Sequence, residues 1–487
     1  MELEQGKWSA AIINLGCKVN KYESDAMKDK LIAAGIFIVE PEDVADIYIV
    51  NTCSVTNMAQ KKSRQMLRRA KKRNPEAIIV AAGCYVNAEH DALKQEEFVD
   101  IVVSNNCKKD IVFIIKEYLF KKRQADFYVD INHTKEYEEM GSLEASHLDH
   151  QRAYIKIQDG CNQFCSYCII PYTRGRVRSR RPENILEEIT KLAKEGVKEF
   201  VLTGIHISSY GLDFASQGTE YDEVMKTSGK RTMGYVDKAY DLGDLIEAAA
   251  SISEVQRIRL GSLEPRIITE EFLGKISKTK KLCPHFHLSL QSACNETLKR
   301  MNRKYTIEEF EEKCNLLRKY FEKPALTTDV IVGFPGETEE EFTTTVENLL
   351  RIQMYEIHVF KYSVRAGTVA EKLPNQVSEK IKNDRSNKLL LLTARQKEEF
   401  ERSLAGFEDE VLIEESVGEI EADEGIEVFW KNKTDIAGSS ADGMTKKLYY
   451  IGHTKRYIKV KLVSRTDIIN QIIPVEYKQN GGRGGIK

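Results

Sequence analysis

The stretch GCNQFCSYCIIPYTRGRVRSR, residues 160–180, holds three cysteines in a C-x3-C-x2-C spacing: Cys161, Cys165 and Cys168. Their neighbours are mostly polar and include a glycine, which indicates a loop rather than three buried core residues. Three thiolates this close can hold one face of a metal centre, and soft sulfur ligands suit iron–sulfur clusters or zinc. Structural zinc usually takes four ligands, and no fourth Cys or His follows at short spacing. A four-iron cluster with one open iron is therefore favoured, with zinc as the alternative.

The cysteine loop directly follows the first of six apolar runs that alternate with helical patterns. These strand candidates are Ala153–Gln158, Glu199–Thr203, Arg257–Leu260, His285–Leu290, Thr328–Val332 and Glu356–Tyr362. Helices are predicted between them, for example over Pro182–Glu195 and Thr306–Tyr320. Six such units predict a partly closed parallel (βα)6 barrel over residues 151–398, with its chemistry at the carboxyl ends of the strands. The polar stretch Phe214–Tyr240 is predicted to be a surface insertion.

The chain before the barrel predicts a parallel α/β sheet over residues 8–120. Strand candidates are Ala10–Leu15, Ile36–Val39, Ile47–Val50, Ile78–Ala82 and Ile101–Val103. Helices are predicted over Lys21–Ala34 and Met58–Lys72, among others. The polar residues 121–150 interrupt this alternation and predict a linker.

A second set of cysteines is dispersed along this first sheet. Cys17, Cys53 and Cys84 each follow a strand candidate and precede a helix. Because the carboxyl ends of parallel strands share one edge of a sheet, the three thiols are predicted to converge there. Cys107 also follows a strand and competes for the same role, and three unrelated buried cysteines remain the alternative.

Beyond the barrel the pattern changes to short β-like runs. These are Val411–Glu414, Ile426–Trp430, Leu448–Ile451 and Tyr457–Val463. They predict a small β-barrel over residues 399–466, followed by a C-terminal tail over residues 467–487. The glycine-rich end, Gln479–Lys487, is predicted to be disordered.

Composition limits the classes of protein that this chain could be. Its 487 residues suggest about three domains, and 41% hydrophobic with 30% charged residues is typical of a globular protein. The first residues lack a signal-peptide layout, and no apolar run approaches the length of a membrane helix. We therefore expect a cytoplasmic protein whose ten cysteines stay reduced.

The cysteine loop resembles that of radical S-adenosylmethionine (SAM) enzymes, in the form found in methylthiotransferases. The segments NLGCKVNKYESDAM, VNTCSVT and AAGCY resemble that family's first domain, and EVLIEES with IGHTKRYIKVKLV resembles its RNA-binding TRAM domain. Within the family, LGCKVN and DGCNQFCSYCIIPYTRG are most similar to the members that act on N6-threonylcarbamoyladenosine in tRNA. Departures are small: Gly261 and Ala293 stand where the family often has Ser and Gly.

The resemblance implies a 4Fe–4S cluster on Cys161, Cys165 and Cys168 that binds SAM, and a second 4Fe–4S cluster on Cys17, Cys53 and Cys84. The implied reaction replaces C2–H of the adenosine 3′ of the anticodon by C2–SCH3. Close alternatives keep this chemistry on isopentenyl-adenosine in tRNA or on an aspartate of a ribosomal protein. The implied cofactor contacts are Tyr167, Gly204, Ser289, Gln291 and Arg365.

Three basic runs predict a phosphate-binding surface. They are Lys61–Arg73, Arg174–Arg181 and Lys446–Thr466, the last interleaved with Tyr449, Tyr450 and Tyr457. Arginine suits phosphate oxygens, and tyrosines can stack on exposed bases. We therefore expect tRNA, through its anticodon loop, as the partner, together with a reductant protein as electron donor. We expect no membrane contact and a monomer; the alternative from another class is a non-catalytic RNA-binding protein with structural zinc.

Overall fold

The computed structural model describes residues 8–121, 125–148, 151–214, 240–418, 426–430, 448–464 and 466–477. The predicted insertion Phe214–Tyr240, apart from its two end residues, and the predicted disordered end Gln479–Lys487 lie outside these ranges. Within them, no helix is long and apolar enough to cross a membrane.

The N-terminal domain is a six-stranded parallel sheet in the order β2-β1-β3-β4-β5-β6, which confirms the predicted α/β class. Its strands are β1 (Ser9–Asn14), β2 (Phe37–Ile38), β3 (Ile47–Thr52), β4 (Ile78–Gly83), β5 (Ile101–Val103) and β6 (Ala125–Phe127). Its helices are α1 (Lys18–Ala33), α2 (Asn57–Arg73), α3 (Cys84–Ala88), α4 (His90–Lys94) and α5 (Ile111–Lys121). Every residue of β3 and β4 is buried, as expected of central strands covered on both faces.

Strand β6 lies in the segment that the sequence predicts to be a linker. The segment is therefore not a simple tether, because β6 extends the sheet beside β5 and the later Met140 and Leu143 enter the core. The sequence pattern missed β6 because it has three residues, one of them Asp126, flanked by polar chain.

The central domain is a partly closed parallel barrel, as predicted. Its parallel strands are β7 (Arg152–Asp159), β9 (Glu199–Gly204), β10 (Arg257–Leu260), β11 (His285–Gln291), β12 (Ala325–Val332) and β13 (Glu356–Lys361). Its helices are α6 (Ile170–Thr173), α7 (Pro182–Lys194), α8 (Leu242–Ser251), α9 (Glu270–Ile276), α10 (Asn295–Arg300), α11 (Ile307–Tyr320), α12 (Glu339–Ile352) and α13 (Glu379–Ser403). Two single bridges join β10 to the β11 side, and a short antiparallel β8 (Arg178–Ser179) pairs with β7. Among the described strands, β7 and β13 do not pair, so the barrel is open on that side.

Alternation along the barrel strands separates an apolar outer face from a polar lumen. On β11, Phe286, Leu288 and Leu290 belong to the large core cluster that also contains residues of the surrounding helices. His287 and Ser289 point to the opposite face, because successive side chains of a strand alternate. The inside of the barrel is therefore lined by polar and charged side chains.

The C-terminal domain is a closed barrel in the strand order β14-β16-β17-β15-β18. The strands are β14 (Glu408–Gly418), β15 (Ile426–Trp430), β16 (Leu448–Thr454), β17 (Lys459–Ser464) and β18 (Ile472–Tyr477). Strand β18 lies in the segment predicted to be a tail, and α13 runs past the predicted boundary at residue 399. Strand β18 was not predicted from the sequence because it contains Pro474, and proline is rare in strands that pair on both sides.

The small barrel covers the amino ends of the central strands. Arg257 donates hydrogen bonds to the carbonyl oxygens of His453 (3.1 Å) and Glu410 (2.6 Å). Arg259 donates to the carbonyl oxygens of Thr454 (3.2 Å) and Lys455 (3.0 Å). The candidate site lies at the opposite end of the barrel, at the carboxyl ends of the strands.

Candidate iron–sulfur and substrate site

The loop with Cys161, Cys165 and Cys168, called the first triad below, turns sharply as it leaves β7. Gly160 has φ +71°, and a Cβ there would lie 1.8 Å from the carbonyl oxygen of Arg176. The Cys161 N–H donates to the Gly175 carbonyl (3.0 Å), so the loop closes on itself. Only glycine satisfies both the backbone angle and the contact.

The loop is also held by the chain that follows α10. The Ser166 N–H donates to the Met301 carbonyl (3.0 Å), and the Asn302 side chain donates to the Phe164 carbonyl (2.9 Å). Arg303 donates to the Cys165 sulfur (3.3 Å) and, through its other nitrogen, to the Ser289 carbonyl (2.7 Å). The guanidinium therefore links the first triad to the carboxyl end of β11.

The three thiols interact electrostatically. Burial, together with the neighbouring Cys165, raises the pKa of Cys161 to about 12. Burial and the other two thiols also raise the pKa of Cys168. Ionised sulfur at this place needs a compensating positive charge, which a bound metal cluster supplies.

The second triad, Cys17, Cys53 and Cys84, lies at one edge of the first sheet, as the strand pattern predicted. The three cysteines follow β1, β3 and β4, which are adjacent and in parallel register. Burial, then Cys84 and Cys17, raise the pKa of Cys53 to about 11, so the three thiols are close enough to influence one another. The sulfur of Cys107 lies 3.5 Å from the Ser104 hydroxyl, and none of the triad thiols is among the groups that shift its pKa.

The sulfur spacing separates the two metal chemistries that the sequence left open. Two thiolates on one zinc ion lie at most about 4.6 Å apart, because each Zn–S bond is about 2.3 Å long. In neither cysteine triad do all three sulfur atoms lie within 4.8 Å of one another. As the side chains stand, the three sulfurs of each triad are spread more widely than a single zinc ion allows, and soft sulfur donors are the ligands of iron–sulfur clusters.

Arg174 connects the two triads, a role that the sequence did not reveal. It is fully buried six residues after Cys168, and its Nε donates to the Cys84 sulfur (3.1 Å). Its other nitrogens donate to Glu23 (2.8 Å) and Asn20 (2.8 Å) of α1. One side chain thus holds the edge of the first sheet against the cysteine loop of the barrel.

A buried charge network surrounds this contact. Glu23 accepts hydrogen bonds from Arg174 (2.8 Å), Lys156 (2.7 Å) and Lys108. Lys156 also pairs with Asp159 (2.7 Å). Burial opposes the ionisation of Glu23, but the three cations outweigh it and hold the pKa of Glu23 well below its usual range.

The predicted cofactor contacts lie at different places. Tyr167 packs edge-on against Phe334, with 6.3 Å between ring centres, in a small apolar cluster. Gly204 ends β9, where a Cβ would lie 2.9 Å from the Gln158 carbonyl. Ser289 and Gln291 stand half-buried at the carboxyl end of β11, where the register with β12 shifts by a bulge. Arg365 is buried, donates to the Asn57 side chain (2.8 Å) and interacts with Cys53, so it lies beside the second triad.

A further polar group in the lumen escaped the sequence analysis. His287, Asp329 and His358 stand on adjacent strands, and their ligand atoms all lie within 4.8 Å of one another. The His287 Nε2 is 3.2 Å from the Asp329 carboxylate, and the His287 Nδ1 is 3.0 Å from the Thr327 hydroxyl. The alternation in HFHLSLQ was the available signal, because it places His287 opposite the apolar residues of β11.

The three basic runs differ in exposure. On α2, four basic side chains are exposed and make no ion pair within the described part of the chain: Lys61, Lys62, Arg69 and Lys72. In the second run, by contrast, three of the five arginines are buried in the protein interior: Arg174, Arg178 and Arg180. The prediction that this run forms a phosphate-binding surface is therefore wrong for these three residues, which bind carboxylates instead.

The predicted base-stacking tyrosines are also largely unavailable. Tyr450 is buried in the core of the small barrel. Tyr457 lies between the domains, where the guanidinium groups of Arg152 (5.1 Å) and Arg259 (4.7 Å) cover its ring. Lys461 covers the half-buried ring of Tyr449 at 4.7 Å. The spacing of tyrosines in a strand does not show which barrel face points to a neighbouring domain.

Two family models match the chain. The Radical SAM superfamily matches residues 155–349, which include the first triad and the barrel strands. The family described as "Uncharacterized protein family UPF0004" matches residues 9–104, which include the second triad.

Curated relatives align with nearly the whole chain. The chain is 35% identical over 474 residues to the threonylcarbamoyladenosine tRNA methylthiotransferase MtaB of Bacillus subtilis, covering 97% of this chain and 94% of that protein. It is 38% identical over 403 residues to the MtaB of Aquifex aeolicus, covering 83% and 92%. It is 33% identical over 405 residues to a tRNA-2-methylthio-N(6)-dimethylallyladenosine synthase of Clostridium botulinum, covering 82% and 84%.

Among solved structures, the radical SAM methyltransferase TsrM of Kitasatospora setae matches with a TM-score of 0.50 at 14% identity, covering 73% of each chain. This likeness supports the fold.

Proposed function

Because this chain belongs to the family of radical SAM tRNA methylthiotransferases, we propose that it methylthiolates C2 of N6-threonylcarbamoyladenosine next to the anticodon of tRNA. The observation that carries the proposal is the pair of cysteine triads, one from each domain, joined by the buried Arg174. The similarity to threonylcarbamoyladenosine enzymes over nearly the whole chain supports this choice of substrate.

As a radical SAM protein, the chain uses SAM and a 4Fe–4S cluster. We assign the cluster to Cys161, Cys165 and Cys168, and a second cluster to Cys17, Cys53 and Cys84. When bound, the first cluster and SAM supply the radical that activates C2–H, and the second cluster supplies sulfur. The protein holds these groups in place and excludes water.

Individual side chains have separate tasks in this proposal. Arg303 donates to Cys165 and so neutralises charge on the first triad's thiolates. Arg174 does the same for Cys84, and its bonds to α1 keep the two triads at a constant separation. Arg365 brings a third cation beside Cys53. Ser289 and Gln291, at the carboxyl end of β11, are proposed to bind SAM.

The exposed basic face of α2 is the proposed phosphate-binding surface, because it belongs to the same domain as the second triad. Its four unpaired cations are Lys61, Lys62, Arg69 and Lys72. We infer that an external reductant protein delivers the electrons and that the enzyme works as a monomer in the cytoplasm, where its tRNA substrate is found.

The proposal is tested on anaerobically reconstituted full-length protein. We expect about eight iron atoms per chain, in two four-iron clusters, and formation of the 2-methylthio nucleoside on tRNA that carries threonylcarbamoyladenosine. Replacing the first triad by Ala should remove half of the iron and abolish SAM cleavage. Replacing the second triad should remove the other half and abolish methylthiolation.

The matched control is Cys107→Ala, which removes a nearby thiol outside both triads and should retain the full iron content. Zinc without iron in the wild type, or SAM cleavage by the variant without the first triad, would contradict the proposal. Formation of the 2-methylthio nucleoside only on tRNA that carries dimethylallyladenosine would contradict the proposed substrate.

A further inference from the structure

His287, Asp329 and His358, called the His–Asp–His group below, are metal-ligating side chains that three neighbouring strands bring together. Asp329 of β12 is the direct partner of His358 on β13, and His287 of β11 is the partner of Thr327, two residues before Asp329. Within the described ranges, this is the only group of three His, Cys, Asp or Glu side chains whose ligand atoms all lie within 4.8 Å of one another. The pairing of parallel strands therefore sets the positions of all three donors.

The His–Asp–His group stands on the interior face of these strands. Each member has a sequence neighbour that belongs to the large apolar core cluster, which also contains residues of the surrounding helices: Leu288, Val330 and Ile357. Because side chains alternate along a strand, the three members point to the other face. His287 and Asp329 are half-buried, whereas His358 is exposed on β13, the edge strand at the open side of the barrel. The group is therefore sheltered on one side and open to ions from solvent on the other.

The geometry around His287 suits a metal ligand. Two donors that each lie about 2.1 Å from one ion, at an angle of about 90–109° to each other, are about 3.0–3.4 Å apart. The His287 Nε2 is 3.2 Å from the Asp329 carboxylate. Its other ring nitrogen, Nδ1, is 3.0 Å from the hydroxyl of the buried Thr327. Metal-ligating histidines have such a hydrogen bond on the second ring nitrogen, because it orients the ring and fixes the tautomer.

The other two members have donor atoms to spare. In the part of the chain that the structure describes, the Asp329 carboxylate has no Lys or Arg partner, and the ring nitrogens of His358 make no hydrogen bond. The ring of His358 lies nearly parallel to that of His287, with 5.6 Å between the ring centres. A carboxylate that faces two imidazoles and is not paired with a basic side chain favours a bound cation.

We propose that the His–Asp–His group binds one divalent transition-metal ion, with a nitrogen of each histidine and a carboxylate oxygen of Asp329 as ligands. Two imidazoles and one carboxylate suit divalent first-row metals such as iron, manganese or zinc. Three protein ligands leave coordination positions open, which water or a polar group of a bound molecule fills. This site shares no ligand with either cysteine triad. The inference does not depend on the proposed reaction.

The experiment measures binding of Mn²⁺ to anaerobically reconstituted full-length protein, without tRNA or SAM. Free Mn²⁺ is followed by electron paramagnetic resonance as the metal is added, and excess Mg²⁺ is present to occupy exposed carboxylates. Mn²⁺ is chosen because thiolates, which are soft ligands, bind it poorly, so that the cysteines do not contribute. The metal and iron contents of every sample are measured first, so that a site already filled by another metal is counted as occupied.

The variants are His358→Ala, Thr327→Val, Thr327→Ser and the control His90→Ala. His90 also contacts two carboxylates, those of Asp91 (3.2 Å) and Asp126 (2.8 Å), but belongs to no group of three ligands among the described residues. Thr327→Val removes the hydroxyl beside His287 and keeps the shape of the side chain, whereas Thr327→Ser keeps the hydroxyl.

We expect the wild type and His90→Ala to hold about one metal ion per chain in addition to the cluster iron. Thr327→Val should weaken the affinity by about 10-fold to 100-fold, the range found when the hydrogen-bond partner of a ligand is removed, and Thr327→Ser should restore it. His358→Ala removes a ligand and should weaken the affinity more than Thr327→Val does. Because His358 is exposed, His358→Ala should retain the fold and the iron of the clusters.

A wild type that binds no Mn²⁺ and holds no metal other than cluster iron would overturn the proposal. A His358→Ala variant that binds Mn²⁺ as tightly as the wild type would overturn it too, as would an equal loss of affinity in His90→Ala. Equal affinities of Thr327→Val and Thr327→Ser would refute the role of the Thr327 hydroxyl in positioning His287. Metal binding by this group in a protein that forms no methylthio nucleoside would contradict only the proposed function.

Discussion

Replacing Glu23 by Gln is expected to destabilise the contact between the first sheet and the barrel. The side chain is 1% exposed and accepts bonds from Arg174, Lys156 and Lys108. Glutamine keeps the shape but removes the charge that compensates three buried cations. Asp159 still pairs with two of them, at 2.7 and 3.1 Å, whereas Lys108 loses its ion-pair partner.

Removing one partner of a buried ion pair costs about 3–5 kcal/mol, because the remaining charge stays desolvated. We expect a loss in this range, measured by urea denaturation of the cluster-free protein under reducing conditions and monitored by circular dichroism. The control is Glu97→Gln on an exposed site, which should change stability by less than about 0.5 kcal/mol. Adding Lys108→Met to the Glu23 variant should restore part of the loss.

The expectation depends on Glu23 being ionised in the folded protein. A loss below about 1 kcal/mol in Glu23→Gln, close to the value for a neutral hydrogen bond, would refute a charged network. If adding Lys108→Met to the Glu23→Gln variant lowers the stability further, the pairing of Glu23 with Lys108 is refuted.

Two further changes test the site. Gly160→Ala should prevent the cysteine loop from closing and remove about half of the bound iron, because the new Cβ would lie 1.8 Å from a carbonyl oxygen. The control is Gly196→Ala, at a glycine that also has a positive φ but has open space around it, and this variant should retain its iron. Equal losses of iron in the two variants would show that the backbone angle, and not the close contact, is responsible. The pKa of His206 is lowered to about 3 by burial, then by Arg303 and Arg266. Below pH about 6.5 the imidazole of His206 is therefore protonated in the unfolded chain but neutral in the folded chain. The free energy of unfolding falls for this reason by about 2 kcal/mol between pH 7.5 and pH 5. His206→Asn should remove this part of the pH dependence in urea titrations of the cluster-free protein, and an unchanged slope would contradict a neutral buried histidine.

The sequence predicted the elements that follow local rules. Cys17, Cys53 and Cys84 could be expected at one sheet edge because parallel strands end together, and the structure brings them there. The alternation of β11 likewise predicted a strand, although not that His287 would meet Asp329 across the lumen.

Burial between domains was not predictable, because it depends on partners far along the chain. In the sequence, Arg174 and Arg178 look like members of a solvated basic run. In the structure they are buried and form ion pairs with Asp159 and Glu23. Tyr457 looks like a residue on an open barrel face, but Arg259 of another domain covers it. Composition and periodicity describe one element at a time and contain no information on such docking.

The long separation between Glu23 and Arg174 has a consequence for biosynthesis. The two residues lie 151 positions apart in the chain. At about 5–20 residues per second, the ribosome makes Arg174 about 8–30 s after Glu23. During that interval the nascent first domain must keep Glu23 in water, with Cys84 lacking its arginine. In the proposed two-cluster enzyme, a cluster held by Cys84 would therefore gain its contact with Arg174 only after the start of the barrel has been made.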